Sequence, residues 1–329
     1  MTTPAPIKLL QWLIQHLKRP VATTGICSFG FLFGLFVVTG SIYPAETSDS
    51  PLEATGIFLL CSFLPAYLVM CMLGMLRNRP VMQNSLKQVL PDDKHALLTQ
   101  IDKPRYWLVW VVIALVFAVT ANISWSTLSF DTSNERFVFS LTVVFAQFVL
   151  WIVVGLALSL NFHNALFLHR LGKLASIDIY NLDSLNPFGR FTLSGLLMIV
   201  GAMALTPLQS IDAEFRWDNY RNAFVIVVPA AFVFLLLPIW SVHSKIKLQK
   251  RTQLQDIDEA IDKASKSFDG ASLMALNGLL DRRQYIQHCR NRPMDTSIFS
   301  RVVLYVLIPP LAWIGAALVE VALSSALAG

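Results

Sequence analysis

The chain has 329 residues, of which 55% are hydrophobic and 14% charged, with a formal net charge of +5 and a mean hydropathy of +0.56. A water-soluble globular domain carries about a quarter charged residues, so this composition excludes that class. The positive charge does not point to nucleic acid, because it gathers in the segments between apolar runs and on one side of them. Four cysteines (Cys27, Cys61, Cys71 and Cys289) form no CxxC pair, which gives no basis for a disulfide framework or a redox centre.

In chain order, residues 1–20 read as an interfacial amphipathic helix. Pro6–Leu17 places Ile7, Leu10, Leu13, Ile14 and Leu17 on one face, and Pro20 stops it. Seven apolar runs follow, uncharged except for Glu320 in the last: Val21–Tyr43, Gly56–Leu76, Tyr106–Ser126, Phe137–Leu160, Phe191–Leu208, Ala223–Val242 and Val302–Leu323. At 1.5 Å per residue each covers a hydrocarbon core about 30 Å thick, the fifth only just. The expected fold is therefore an all-α integral membrane protein with about seven transmembrane helices. Residues 21–242 form six of them as three hairpins, 243–300 is a helical hairpin in water, and 301–329 carries the seventh helix.

Charge sets the expected orientation. With the N-terminus in the cytoplasm, 23 of the 26 basic residues fall in inside segments, as the positive-inside rule requires. Only Arg136, Arg216 and Arg221 then lie outside, among eight acidic residues. The C-terminus is outside in this arrangement, and the compact loops suggest a bacterial inner membrane.

Three inside connectors follow. In 77–105, Pro91-Asp92-Asp93 reads as a turn and helix cap that starts a short helix carrying Leu97, Leu98 and Ile101, resting on the inner leaflet. In 161–190 the fourth helix is expected to run on before the irregular stretch IDIYNLDSLNPFGR. His163, His169, Asp178 and Asp183 lie there and are the candidate ligands for a divalent cation. Their spacing does not favour one: the histidines are not i, i+4, and Asp183 and Asn186 serve equally as turn residues. In 243–300, Leu248, Leu254, Ile257, Ile261 and Phe268, then Leu273, Leu276, Leu280 and Ile286, recur at helical spacing on two arms that turn at Phe268–Gly270. Arg282, Arg283, Arg290 and Arg292 form a basic cluster suited to anionic headgroups or a partner.

Inside the apolar runs there is almost no ionisable residue, and so no obvious coupling site. Gln147 and Asn122 are polar groups of the fourth and third helices that either bond across helices or line a path. Pro65, Pro229, Pro238 and the pair Pro309 and Pro310 interrupt apolar runs, the last as a candidate hinge. Gly30 and Gly34 make a GxxxG for helix packing within or between chains. The last run contains no lysine, which rules out a retinal Schiff base on it.

No HExxH, GxSxG, nucleotide loop or clustered ligand set occurs, so neither catalytic residues nor a cofactor are assigned. The leading expectation is a non-enzymatic multi-pass protein that senses, scaffolds or assembles through its cytoplasmic hairpin. Its partners would be membrane lipids and a second copy or a membrane-complex subunit, with no nucleic acid. The alternative is an oligomeric channel or passive transporter with a path along helices 3, 4 and 7.

Overall fold

The computed structural model of the protein describes residues 20–40, 55–102, 109, 111–116, 118–120, 137–175, 177–180, 182–210, 217–266, 270–289, 300 and 304. Among the described residues there is no strand. The helices are α1 (Pro20–Val38), α2 (Thr55–Lys87), α3 (Phe137–Leu174), α4 (Asn186–Leu205), α5 (Trp217–Ser265) and α6 (Gly270–His288), with 3-10 turns at Asp92–Asp102, Leu182–Leu185 and Thr206–Ser210. The interfacial helix expected over 1–20 lies outside the described residues apart from Pro20, which opens α1. Proline suits a first helical turn, where its missing N–H has no partner to lose.

Five helices are long and apolar enough to cross a membrane, within α1, α2, α3, α4 and α5. They correspond to five of the seven apolar runs. The described residues of the third run form only the short apolar helix Val111–Thr120, and the seventh run lies outside the described residues except for Leu304.

Length is what departs from expectation. α2 has 33 residues, α3 has 38 and α5 has 49. At 1.5 Å per residue α5 is about 74 Å long, more than twice the thickness of a hydrocarbon core. In each of these helices the surplus follows the apolar run, at the end where the basic residues lie. Pro65 and Pro80 sit inside α2, and Pro229 and Pro238 inside α5, and both helices continue through them. The boundary expected at 242/243 therefore falls within one unbroken helix.

The helices pack in two tiers. At the level of the apolar runs, α1 lies antiparallel to α2: Phe29 meets Phe63 with ring centroids 4.3 Å apart, and Phe36 meets Phe58 at 4.6 Å. Glycines set the other close approaches. A Cβ at Gly155 of α3 would lie 2.9 Å from the Ala114 Cα, so the third run is held hard against α3. Gly201 of α4 leaves room for the Tyr67 ring of α2, whose hydroxyl donates to the Leu197 carbonyl at 2.9 Å. Gly30 and Gly34 behave differently, since a Cβ on either meets nothing within 4 Å among the described residues. Buried hydroxyls turn back onto their own helices: Ser62 donates to the Phe58 carbonyl, Ser159 to Gly155 and Thr192 to Phe188, which satisfies them without a neighbour.

The second tier is a base at the basic end. Leu86, Leu98, Leu168, Leu171, Ile177, Leu185, Phe188, Val242 and Ile246 form one buried cluster there. It collects side chains from α2, α3, α4 and α5 and from two connectors. Leu98, expected to rest on a leaflet, is instead a core residue of this base, and Gln83 of α2 donates to its carbonyl at 3.2 Å. The stretch 177–188 is irregular because it alternates: Ile177 and Ile179 are buried while Asp178 and Tyr180 face out. Ile177, Leu182, Leu185 and Phe188 plug the base.

Candidate functional site at the basic end of the bundle

α5 leaves the base, and α6 pairs against it in antiparallel sense. Two pairings fix the register. Arg283 Nε lies 2.6 Å from Asp258 Oδ1. Lys250 Nζ donates to the carbonyls of Gln287 at 2.8 Å and Cys289 at 3.0 Å. The last carbonyls of α6 lack intrahelical donors, so Lys250 caps the arm from its neighbour, where a cation also suits the negative end of the helix dipole. Ile257 and Ile286 are the buried apolar residues of this pair.

A third contact ties the returning arm to the base. Asp178 Oδ1 accepts the Tyr180 backbone N–H at 2.9 Å, a side-chain turn that presents the Tyr180 ring outward. Arg282 Nε donates to Tyr180 Oη at 2.8 Å, and its guanidinium carbon stands 5.8 Å from the centre of that ring. Tyr285, one turn on, stacks on Tyr180 with centroids 5.7 Å apart and planes 15° apart. The contact combines a hydrogen bond, ring stacking and a cation over an aromatic face, and all three side chains remain open to solvent.

Further into the base sits a buried cation. Arg79, 7% exposed, precedes Pro80 in α2, and its Nη2 donates to Asn164 Oδ1 of α3 at 3.5 Å. Asn164 is 2% exposed, and its Nδ2 has no partner among the described residues. Next to it, Asn161 Nδ2 bonds the Ala157 carbonyl at 3.1 Å and Met198 Sδ at 3.5 Å, lying in the notch left by Gly195 of α4. His95 completes the base, its Nε2 lying 3.0 Å from the Lys87 carbonyl and 3.1 Å from that of Leu90, where it closes the end of α2.

The candidates read from the sequence are distributed as follows. His163 and His169 are six residues apart on α3 and so point about 120° away from one another. His169 Nδ1 pairs with the Leu237 carbonyl at 2.8 Å. Asp178 makes the turn described above, and Asp183 lies in the 3-10 turn Leu182–Leu185. No group of three or more His, Cys, Asp or Glu side chains placed to hold a metal ion occurs among the described residues. Arg282 and Arg283 are engaged within the chain. Arg290, Arg292, Asn122, Pro309 and Pro310 lie outside the described residues. Gln147 is 4% exposed and its Oε1 has no partner among the described residues.

Reasoning from the sequence missed Arg79, Asn161, Asn164, Tyr180 and Lys250 as structural determinants. Arg79 had counted only toward charge asymmetry. The available signal was its place within helical reach of a long apolar run, with a proline directly after it. Comparison with protein-family models, with curated proteins and with solved structures gives no match to this chain.

Proposed function

We propose that the protein is a non-enzymatic multi-pass membrane subunit that senses or assembles with a partner protein through its hairpin, held on the cytoplasmic side. The observation that carries this reading is the continuity of α5. One helix of 49 residues joins the apolar bundle to the hairpin with no proline after Pro238 and no break in its helical turns, so tilt or rotation of its inner end is passed to α6. Two exposed apolar side chains of α6 then supply contact points, Met274 at 83% and Leu280 at 45% exposure, about 120° apart around its axis. Each of these side chains gains by being covered when a partner packs against α6. The cytoplasmic assignment rests on the 23 of 26 basic residues that this orientation places inside.

The test is site-specific photo-crosslinking in native membranes from positions 274 and 280, with position 259 on the other arm as control. A discrete adduct from each of 274 and 280 is expected, with the adduct at 280 lost on Met274→Glu. Equal or absent crosslinking at all three positions would end the reading.

A second reading, a channel or passive transporter, is favoured by Gln147. Its amide oxygen is buried with no partner among the described residues, a state that costs about 1–3 kcal/mol where it goes unrelieved, and water or a permeating solute would relieve it. Flux through liposomes containing the purified protein, compared with Gln147→Leu, decides it. A solute leak abolished by the substitution supports a path, and none under varied voltage or solute gradient removes it.

A further inference from the structure

We infer that the cleft between α3 and α5 at the basic end of the bundle binds an anionic phospholipid. The cleft encloses about 300 Å³ and is lined by His169 of α3 and by Phe232, Val233, Leu236, Leu237 and Trp240 of α5. Its position follows from how the two helices meet. They run parallel, and they touch where Gly172 lies against Ser241 and Val242, leaving no room for a Cβ. One turn before this contact the His169 ring still meets the Leu237 carbonyl, and the cleft opens outward beside that bond. Phe232, Leu236 and Trp240 follow at four-residue spacing on one stripe of α5, and they are 57%, 51% and 68% exposed. This stripe lies in the apolar part of α5, where its natural neighbour is an acyl chain.

Charge identifies what tops that chain. Helical spacing carries the α3 wall from His169 to Lys173, four residues on. It carries the α5 wall from Trp240 to Ser244 and Lys247, four and seven residues on. Lys173, Ser244 and Lys247 are all exposed. Trp240 marks the level at which an amphipathic ring sits between tails and headgroups. The two lysines therefore begin where a phosphate would lie, and their flexible stems can reach back along the wall to it. His169 is pinned by its bond to the Leu237 carbonyl, so this wall is rigid before the lipid arrives. The aromatic stripe with paired cations beyond it fits one anionic lipid molecule, with its tail against Phe232 and Leu236 and its phosphate between Lys173 and Lys247. This site is separate from the hairpin surface, and its failure would leave the assembly reading untouched.

The experiment is native mass spectrometry of the full chain released from detergent after equilibration with equimolar phosphatidylglycerol and phosphatidylcholine of matched tails. Two lysines near the phosphate predict about a thirtyfold preference for phosphatidylglycerol in one bound copy. In Lys173→Gln/Lys247→Gln, with unchanged circular dichroism and thermal midpoint, that preference should fall to near parity. Leu236→Trp, which fills the cleft, should reduce retention of both lipids. No preference in the wild type, or a preference kept by the double variant, overturns the site. Displacement of the lipid by millimolar inorganic phosphate would show an anion site without a tail requirement and would also overturn it. A photo-crosslinker at position 236 should label lipid. Labelling of residues 302–323 instead would mean that the last apolar run covers the cleft, which leaves no room for a lipid and defeats the proposal.

Discussion

The apolar bundle and the base share four helices, α2 to α5, and yet hold together differently. In the bundle, contact depends on shape: glycines at 155 and 201 admit a neighbour's backbone or ring, phenylalanine rings pair across helices, and hydroxyls satisfy their own helices. Lipid tails are as apolar as leucine, so burying leucine there gains little, and close fit has to supply the attraction. In the base, the shared helices run on beside polar and charged residues, where water competes for the same side chains. Burial of Leu86, Leu171, Leu185 and Ile246 now stabilises in the ordinary way, at about 25 cal/mol per Å² of apolar surface. A helix that passes from one solvent to another changes its packing chemistry along its length.

That contrast can be broken by substitution. The largest effect is expected at Leu171, which is 1% exposed at the centre of the base. Leu171→Ala should cost about 2–5 kcal/mol, read as a clear fall in thermal midpoint in detergent. Leu197→Ala, on a half-open face of α4, should change it by less than about 0.5 kcal/mol. Equal losses at the two sites would dissolve the distinction between tiers. Next comes Gly155→Val, which overpacks the Ala114 contact by about 1–3 kcal/mol. By comparison, Gly30→Ala and Gly34→Ala should be neutral or slightly stabilising, because alanine favours helix and the space is open. If the glycine pair instead mediates contact between copies, those alanines will lower the mass of the detergent-solubilised particle.

Smaller effects belong to the hairpin. Lys250→Met removes the cap on α6 at about 0.5–2 kcal/mol, judged by analogy with other helix caps. It should speed amide exchange over 284–289 while leaving α2 unchanged. Smallest of all is Arg283→Gln, where an exposed ion pair contributes at most about 1 kcal/mol and fades with salt. Protease accessibility of α6 in low and high salt measures it. Tyr180→Phe should act on the same scale by removing the acceptor of Arg282. If Tyr180→Phe frees α6 far more than Arg283→Gln does, the clasp on Tyr180 is what holds the arm to the base.

The apolar runs were legible because membrane insertion responds to local composition: about twenty uncharged residues suffice, whatever their neighbours. The two arms of 243–300 were legible for a related reason, since apolar residues recurring every three or four positions show in any window. The base was not legible. Ile177, Ile179, Leu182 and Leu185 have no helical or strand period, because they fill a cavity shaped by four other segments. Leu98 was expected on a leaflet, because an apolar face reads the same whether lipid or protein covers it. The destination of Arg282 was hidden as well, because its partner Tyr180 lies 102 positions away.

By itself, then, the sequence determined which stretches prefer lipid to water, that the chain is helical, and that basic residues collect at one end. Each of these is a sum over neighbouring residues, and the sum is complete within about twenty positions. Tertiary structure alone decided that three helices outrun the bilayer, that their ends close over a core, and that the basic end carries a clasp and a cleft. Those features depend on which side chains meet across helices, and a contact energy exists only once both partners have been brought together.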